Sequence, residues 1–371
     1  MESSLAQRLL EWFGHRARDL PWRRNRTPYR VLVAEFMLQQ TRSETVIPYY
    51  ERFLERFPTL EALAQAELEE VLQVWEGLGY YARARNLHAL ARRVVREFNG
   101  QIPTTYRELC ALPGVGPYTA AAVASIAFGQ PEVALDGNVR RVLARVLALS
   151  GNGRQPEFRR TLEETARRWM PPDQPGPFNE ALMELGATVC LPRRPRCGEC
   201  PLQEDCRAHQ MGQEEEFPGP SQRSRVPHYD VTAAVIRDTS GRVLLARRKE
   251  TGFLGGLWEF PGGKREEGET LPECLARELR EELGIEVEVG EHLLTLRHTY
   301  THFRVTLHVF ACRIRSGTPR CLDCADVRWA EISELNRFPM PATDRRIARF
   351  LEEVRVLNPK GREERREGIG N

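Results

Sequence analysis

The sequence predicts an all-helical N-terminal domain that is joined by a linker to a smaller α/β domain. Two observations carry this prediction. The first half of the 371-residue chain contains apolar runs with helical spacing, separated by proline and glycine turns. From Asp230 onward, short runs rich in β-branched residues surround one predicted helix. A chain of this length can form two domains, each with a hydrophobic core of its own.

Composition sets the predicted domain limits. Residues 213–229 (QEEEFPGPSQRSRVPHY) are charged and rich in proline, glycine and serine, which is typical of an interdomain linker. We therefore assign residues 1–212 to the helical domain and residues 230–355 to the α/β domain. Residues 356–371 form a charged tail that we expect to be disordered.

Composition also excludes several classes of protein. No apolar run reaches about 18 residues, so we expect no membrane span. The amphipathic N-terminus does not resemble a signal peptide. A net charge of +2 argues against a strongly basic protein that coats DNA. Nine cysteines, four of them closely spaced, favour a metal centre in a reducing compartment over a disulfide scaffold.

The first two predicted helices introduce a candidate acid. Residues 3–14 have the pattern of an amphipathic helix, and a second helix is predicted after Thr27-Pro28, where threonine can cap the first turn. Glu35 lies in this second helix among apolar helical neighbours. Burial raises the pKa of an unpaired carboxylate, which suits a general acid near neutral pH. The alternative is a buried glutamate paired with an arginine such as Arg23.

Residues 109–149 are the stretch around which the first domain is organised. Two predicted helices are joined by Pro113-Gly114-Val115-Gly116, and glycines in such a turn let backbone N–H groups converge on a phosphate. The helix that follows, Pro117 to Phe128, consists mainly of small residues and is predicted to end at Gly129. Asp136 then precedes another helix. It is either the N-cap of that helix or a carboxylate that stabilises positive charge on a sugar.

Four cysteines form a candidate metal site. They lie within 17 residues with six, two and five residues between them: Cys190, Cys197, Cys200 and Cys206. Four thiolates at this density bind either zinc or an iron–sulfur cluster. Arginines inside the same loop either contact phosphates or remain solvated.

The predicted helix of the second domain carries an acidic motif. The pattern Gly263-x5-Glu269-x7-Arg277-Glu278-Leu279-Arg280-Glu281-Glu282-Leu283-Gly284-Ile285 matches the Nudix box at every defined position. Thr270 and Glu273 have the spacing of a helix capping box. Glu278, Glu281 and Glu282 are predicted to share one helix face. Three carboxylates on one face repel one another unless they are solvated or bridged by a cation such as Mg²⁺.

Together these motifs resemble those of the helix-hairpin-helix DNA glycosylases, and in particular the MutY-type adenine glycosylases. The resemblance covers nearly the whole chain. It implies an all-α helix-hairpin-helix glycosylase domain with a [4Fe–4S] cluster on the four cysteines, followed by a Nudix-like α/β domain. It also implies the reaction, which is hydrolysis of the N-glycosidic bond of adenine mispaired with 8-oxoguanine or guanine in base excision repair.

The resemblance assigns roles to residues in the first domain. It implies that Glu35 protonates adenine at N7 and that Asp136 stabilises the sugar cation, with Tyr118, Asn138 and Glu180 in support. Tyr118 occupies the position of the catalytic lysine in endonuclease III-type relatives, and residues 1–248 contain no lysine at all. A monofunctional glycosylase without efficient β-lyase activity is therefore expected.

The resemblance also implies which residues contact DNA, including wedge residues that fill the gap left by an extruded base. The DNA-binding residues are Gln40, Thr41, Leu78, Gly79, Tyr80, Pro113, Gly114, Val115, Gly116 and Thr119. Thr301 and His302 correspond to the Ser and His with which the family's Phe-Ser-His loop touches the lesion.

The intact Nudix box departs from the family, whose C-terminal domains generally lack a working one. One interpretation is that the second domain mainly recognises 8-oxoguanine. The other is a diphosphohydrolase for oxidised nucleoside triphosphates that binds Mg²⁺ through Glu278, Glu281 and Glu282.

Three other functions compete with the adenine glycosylase. An endonuclease III-like glycosylase/lyase is opposed by the missing lysine. A Nudix nucleotide-pool hydrolase with a DNA-binding N-terminal module, or a structural iron–sulfur DNA-binding protein, would leave Glu35 and Asp136 without a role. The expected partner is duplex DNA with adenine opposite 8-oxoguanine or guanine. We expect a monomer with no membrane association, located in the cytoplasm with the nucleoid as in bacteria.

Overall fold

The computed structural model describes residues 2–153, 155–219, 226–300 and 302–357. The chain separates into two compact units. The first comprises Met1–Gln65 and Asn86–Arg223, and the second combines Ala66–Arg85 with Ser224–Asn371. The change at residues 223–224 lies inside the predicted linker. Residues 66–85, in contrast, fall within the predicted helical domain but belong by their contacts to the second unit. The predicted domain limits therefore stay a prediction.

Helices occur in both units. In chain order, the α-helices of the described residues are α1 (Glu2–Arg16), α2 (Pro21–Arg24), α3 (Pro28–Leu38), α4 (Ser43–Arg56), α5 (Leu60–Gln65), α6 (Leu68–Trp75), α7 (Ala82–Glu97), α8 (Tyr106–Cys110), α9 (Pro117–Phe128), α10 (Gly137–Leu147), α11 (Pro156–Trp169), α12 (Pro175–Thr188), α13 (Arg207–Gln210), α14 (Leu271–Leu283) and α15 (Ala342–Leu357). Short 3-10 turns are found at Cys197–Glu199, Glu214–Glu216 and Ile332–Arg337. No helix in the described ranges is long and apolar enough to cross a membrane.

Local signals set the ends of the helices that shape the first unit. The side chain of Thr27 accepts a hydrogen bond from the backbone N–H of Arg30, which confirms the predicted cap of α3. Helix α9 ends, as predicted, at Gly129, whose left-handed φ of 66° suits glycine. Helix α1 continues to Arg16, two residues beyond the predicted end at Gly14. Apolar faces of α1, α10, α11 and α12 then pack into one core.

The second unit contains two three-stranded sheets. Their strands are β1 (His228–Ile236), β2 (Val243–Arg247), β3 (Trp258–Glu259), β4 (Glu286–Thr299), β5 (Arg304–Ser316) and β6 (Asp326–Ala330). One sheet has the order β1-β5-β4, with β1 parallel and β4 antiparallel to β5. The other has the antiparallel order β3-β2-β6. This arrangement confirms the predicted α/β class of the second domain.

Strand β1 shows why its sequence is apolar without alternation. Val235 packs into a core that includes residues of α15, whereas Ile236 packs into a core that includes residues of α14. Successive side chains point to opposite faces, so a strand covered on both faces is apolar at every position. The capping box of Thr270 and Glu273 at the start of α14 is confirmed.

Helix α15 corrects the expectation of a single helix in this domain. Its apolar residues Ile347, Phe350 and Leu351 follow helical spacing, but eight of its sixteen residues are polar or charged and hide that signal. The helix also extends two residues into the predicted tail, to Leu357. The rest of the tail, 358–371, lies outside the described residues.

Candidate active site

A cleft of about 700 Å³ in the first unit brings together the predicted catalytic residues. Glu35 from α3, Tyr118 from α9 and Glu180 from α12 line it, together with Asp136 and Asn138 at the start of α10. These residues lie up to 145 positions apart in the sequence, from 35 to 180. Their convergence on one concave surface is the arrangement expected of an active site.

Glu35 has the environment of a protonated carboxyl group. Its residue is 5% exposed, and its Oε2 atom has no hydrogen-bond partner among the described residues. Burial raises the pKa of Glu35 to about 7; a hydrogen bond with Tyr118 lowers this pKa and the charge of Asp136 raises it. The alternative of a Glu35–Arg23 pair is wrong, because Arg23 instead binds Glu184 and Glu180.

Asp136 is both a helix cap and a wall of the cleft. One carboxylate oxygen accepts a hydrogen bond of 2.6 Å from the backbone N–H of Val139, and the other accepts one of 3.0 Å from the Asn138 side chain. Burial raises the pKa of Asp136, while these hydrogen bonds oppose the rise by stabilising the charged form. Asp136 can therefore cap α10 and present a carboxylate to the cleft at the same time.

Helix α12 supports Asn138 from the opposite side. A Cβ atom at Gly186 would lie 2.6 Å from the Asn138 Cβ and 3.0 Å from its backbone, so only glycine fits there. Arg141 donates hydrogen bonds of 2.9 Å to the Asn138 side chain and 2.7 Å to the Gly186 carbonyl. Arg141 also donates to the Cys190 carbonyl at 2.8 Å. Hydrogen bonds therefore run from Asp136 to the backbone of the cysteine loop.

An arginine–glutamate network forms another wall of the cleft. Glu184, with 1% of its side chain exposed, accepts from Arg18 at 2.7 Å and from Arg23 at 2.9 Å. Burial acts to raise the pKa of Glu184, but these hydrogen bonds outweigh it and the pKa is lowered. Burial raises the pKa of Glu180 despite the opposing charges of Arg26 and Arg23. Glu184 is therefore ionised, which fixes the two arginines at the cleft.

The four cysteines line one cavity beside α10 and α12. All four are free thiols. Burial, followed by the charge and hydrogen bond of Glu214, raises the pKa of Cys197 to about 11, and burial with the charges of the other cysteines raises that of Cys200 to about 12. Arg145, which is 2% exposed, donates to the sulfur of Cys190 at 3.3 Å. Buried sulfur atoms that repel one another as thiolates fit a positively charged metal centre, because a bound cation removes this repulsion.

A second ligand set overlaps this site. The ligand atoms of Cys197, His209 and Glu214 lie within 4.8 Å of one another. His209 and Glu214 already form a hydrogen bond of 2.6 Å, and Glu214 accepts from the Cys197 thiol at 3.6 Å. This trio shares Cys197 with the four-cysteine cavity, so we interpret it as part of the surroundings of that cavity.

The second unit contains an acidic group on the Nudix-box helix. Glu278 and Glu282 of α14 lie near Glu259 of β3, which the sequence did not indicate. Burial, followed by the charges of Glu259 and Glu278, raises the pKa of Glu282 to about 8. The Glu281 side chain is 60% exposed and binds Arg277 at 3.0 Å. Glu259 accepts hydrogen bonds of 2.9 and 2.7 Å from the Arg248 guanidinium. A role of Glu278, Glu281 and Glu282 as Mg²⁺ ligands stays a prediction.

Comparison with known proteins matches the stretches that contain Glu35 and Asp136, the four cysteines and the Nudix-box helix to three different families. Residues 33–168 match the HhH-GPD superfamily of base excision DNA repair proteins, 190–206 the iron-sulfur binding domain of endonuclease III, and 232–349 the NUDIX domain. The chain is 37% identical to the adenine DNA glycosylase of Rattus norvegicus, over 97% of this chain and 80% of that protein. The chain belongs to the adenine DNA glycosylases. It is thus an enzyme of the class that hydrolyses N-glycosyl bonds, with DNA as partner and an iron–sulfur binding motif at its four cysteines.

Two further similarities fit this family. The adenine DNA glycosylase of Mycolicibacterium smegmatis is 43% identical over 245 residues, which cover 66% of this chain and 80% of that protein. A thermostable thymine-DNA glycosylase shares the fold with a TM-score of 0.51 and 28% identity, over 57% of this chain and 97% of that chain. The predicted MutY-type family and the fold class are confirmed.

The hairpin of this glycosylase has the expected backbone geometry. Gly114 has φ +72°, and a Cβ atom there would lie 2.5 Å from the Asn86 Cβ. Gly114 and Gly116 are exposed, as a phosphate-binding turn requires, while Val115 is buried. Thr119 is 2% exposed and its hydroxyl accepts from Gln39 at 3.1 Å. Its side chain therefore faces the protein interior, and only its backbone is placed to meet a phosphate.

The other predicted DNA contacts divide between the units. Gln40 and Thr41 line the cleft of the first unit, and Gln40 has a left-handed φ of 59°. Leu78, Gly79 and Tyr80 belong to the second unit, where Leu78 is 6% exposed. Roles in DNA binding stay predictions for all of these residues.

We call residues 300–303, which are predicted to recognise the lesion, the lesion loop. Within it, Thr301 lies outside the described residues, whereas His302 is exposed. Next to them, the Tyr300 ring contacts Phe253 and Phe303 at centroid distances of 5.0 and 4.9 Å. Phe253 was not predicted, because its contact with Tyr300 joins two loops that are distant along the chain.

Sequence reasoning missed three residues of the arginine–glutamate network. Arg18 and Glu184 line the cleft, and Arg26 binds Glu180. One signal was available, since Glu180 and Glu184 are four residues apart and share a face of an apolar helix.

Proposed function

We propose that this enzyme hydrolyses the N-glycosidic bond of adenine opposite 8-oxoguanine or guanine and leaves the abasic site intact. The observation that carries the proposal is the buried Glu35, with a pKa near 7, in the same cleft as Asp136. A protonated carboxyl beside an ionised one is the pair that glycoside hydrolysis requires. The cleft has room for a nucleotide extruded from the duplex.

The residues of the cleft support a stepwise reaction. Glu35 donates its proton to the leaving adenine, which weakens the bond between the base and the sugar. Asp136, held by Val139 and Asn138, places negative charge near the sugar as it becomes an oxocarbenium ion. The bond between base and sugar then breaks, and adenine leaves as a neutral molecule. Water adds to the sugar cation and releases a proton, which returns to the Glu35 carboxylate directly or through solvent and restores the acid.

The absence of an amine supports a monofunctional reaction. A β-lyase forms a Schiff base between an amine and the sugar aldehyde. Residues 1–248 contain no lysine, and Tyr118 lines the cleft. The sugar product therefore has no side-chain amine of this stretch with which to react.

We assign the remaining parts of the proposal as follows. A [4Fe–4S] cluster is held by Cys190, Cys197, Cys200 and Cys206. It organises the loop that begins at Cys190, whose carbonyl is bound by Arg141. Thr301 and His302 recognise 8-oxoguanine opposite the adenine. The enzyme acts as a monomer, since each catalytic group of the cleft comes from one chain.

The test is single-turnover cleavage of a duplex that contains adenine opposite 8-oxoguanine, measured with and without alkali. We expect strand breaks only after alkali, because the abasic site stays intact until base treatment. Breaks without alkali would contradict the monofunctional reaction, and no base loss would contradict the glycosylase itself. Thr301→Ala should reduce the preference for 8-oxoguanine over guanine. An unchanged preference would exclude that role for Thr301.

The acidic group of the second unit supports a second candidate function. Glu259, Glu278 and Glu282 are carboxylates of the kind that bind Mg²⁺, and they lie in the stretch that matches the NUDIX domain. This candidate is hydrolysis of an oxidised nucleoside triphosphate. Incubation of 8-oxo-dGTP with the enzyme and Mg²⁺ tests it, with Glu282→Gln as the loss variant and the exposed Glu281→Gln as control. Lack of Mg²⁺-dependent pyrophosphate release would leave recognition as the role of this domain.

A further inference from the structure

A short segment of the second unit contains the predicted wedge residues. We define the wedge turn as residues 76–81, which include Leu78, Gly79 and Tyr80. Three of its residues have left-handed backbone conformations, with φ of 95° at Gly77, 77° at Gly79 and 50° at Tyr80. Glycine adopts such a backbone readily, whereas Tyr80 keeps it only where its surroundings hold it in place.

Glu76 anchors the start of the wedge turn through a two-pronged ion pair with Arg345 of α15. The Nε and Nη2 atoms of Arg345 donate to the two Glu76 oxygens at 2.5 and 2.8 Å. The side chain of Glu76 is only 20% exposed and that of Arg345 only 15%. Bidentate pairs of this type fix orientation as well as distance.

Arg345 is itself held rigidly. It donates to the carbonyl of Leu335 at 2.7 Å and to that of Phe338 at 2.5 Å. On the other side of the turn, the Tyr81 hydroxyl donates to the Met340 carbonyl at 3.3 Å. The wedge turn is therefore attached at its start to Arg345 in the first turn of α15 and at its end to Met340, just before that helix.

Further contacts attach the residues that flank the wedge turn. Trp258, which is fully buried, donates from its indole nitrogen to Glu69 at 2.7 Å. Arg85 donates to the carbonyls of Gly255 and Gly252 at 2.8 and 3.1 Å. These directional bonds on both sides explain why residues 66–85 belong to the second unit.

The first turn of α15 also contacts the lesion loop. Thr343 and Asp344 lie close enough to Tyr300, the residue that precedes Thr301, to affect the pKa of its hydroxyl. The Thr343 hydroxyl donates to the Asp344 carboxylate at 3.0 Å, and Asp344 also accepts from the backbone N–H of Phe260 at 2.9 Å. Thr343 and Asp344 thus lie beside Tyr300, while Arg345 binds the wedge turn.

We propose that Glu76 and Arg345 are positioning residues that couple the wedge turn to the lesion loop through the first turn of α15. The preference for 8-oxoguanine over guanine opposite adenine then depends on this ion pair, although neither residue touches the reacting bond. The proposal rests on the proposed function for its catalytic readout. Its structural content, a wedge turn ordered by the ion pair, can be tested without DNA.

The experiment is a double-mutant cycle on the full-length enzyme with Glu76→Gln, Arg345→Gln and the combined variant. Single-turnover rates are measured on duplexes with adenine opposite 8-oxoguanine and opposite guanine. We expect each single variant to reduce the ratio of the two rates by about 5- to 20-fold, and the combined variant to lose no more than a single one. The exposed Arg349→Gln on the same helix is the matched control and should keep the wild-type ratio.

Amide hydrogen exchange of the free protein separates this proposal from the proposed function. Residues 77–81 should exchange faster in Glu76→Gln and Arg345→Gln than in wild type and in Arg349→Gln. Unchanged exchange, or an unchanged rate ratio in an active enzyme, would overturn the coupling. Additive losses in the combined variant would also overturn it, because independent residues do not share an interaction. A wild type without adenine release would contradict the proposed function and leave the exchange result as the test of the ion pair.

Discussion

Two groups of buried carboxylates, one in each unit, contain a member with a pKa well above that of a free glutamate. Burial alone accounts for most of the rise at Glu35, where the pKa is about 7 and Oε2 has no hydrogen-bond partner within the described part of the chain. At Glu282 the pKa is about 8, and the charges of Glu259 and Glu278 add to burial. The neighbours distinguish the two cases. A carboxyl whose pKa is raised mainly by burial is suited to donate a proton, whereas carboxylates whose charges raise one another's pKa are suited to bind a cation.

The largest effect is expected for Glu35→Gln. This change keeps the size of the side chain but removes the proton donor, so adenine release should fall by about 10²- to 10⁴-fold while duplex binding persists. Single-turnover release and filter binding measure the two quantities. Glu55→Gln, on the exposed face of α4, is the matched control. Turnover retained in Glu35→Gln would remove the assignment of the acid.

The same substitution should change stability in a manner that depends on pH. The pKa of Glu35 is 4.5 for a free side chain and about 7 in the folded protein. The unfolded chain therefore binds fewer protons between these values, and the wild type loses stability as pH rises through this window. Glu35→Gln lacks this loss and should gain about 3 kcal/mol relative to wild type above the window. Urea unfolding at both ends of the window measures it, and a constant difference would contradict the burial of an uncharged Glu35.

The pH profile of adenine release sharpens the comparison further. Only protonated Glu35 can act as the acid, so the rate should fall about tenfold per pH unit above its pKa. At low pH the rate should also fall, as Asp136 becomes protonated. Single-turnover rates across this range give the profile. Glu282→Gln should leave it unchanged, since Glu282 lies in the other unit, and a profile that moves with Glu282 would contradict this separation of roles.

The smallest effects are expected within the second acidic group. Without added cation, Glu282→Gln should stabilise the protein at neutral pH, because an amide can be buried near Glu259 and Glu278 without taking up a proton. The exposed pair of Glu281 and Arg277 is worth less than about 1 kcal/mol, so Glu281→Gln should have little effect. Thermal unfolding with and without Mg²⁺ compares the variants. A larger change in unfolding temperature for Glu281→Gln than for Glu282→Gln would place Glu281 inside the acidic group.

The sequence predicted those features that depend on nearby residues. The cap at Thr27, the capping box of α14, the end of α9 at Gly129 and the cysteine spacing are all local patterns. Glu35 could also be predicted, because an acid surrounded by apolar residues on a helix is expected to be buried. Burial disfavours the charged carboxylate and therefore raises the pKa of Glu35.

Features that depend on distant pairs could not be predicted. Glu184 binds Arg18 across 166 residues, and Glu76 binds Arg345 across 269. No periodicity records such pairings, since each partner has an ordinary local sequence. The position of Glu259 near Glu282 has the same origin: helical spacing places three glutamates on α14, but only the fold brings β3 beside them.

Gly186 gives this enzyme a sensitive position that has no functional group. The backbones of α12 and α10 touch there, and Asn138 fills the space that a side chain would need. Any larger residue must push Asn138 aside and with it the hydrogen bond that orients Asp136. A random screen for inactive variants should therefore recover replacements at this glycine alongside those of the catalytic acids.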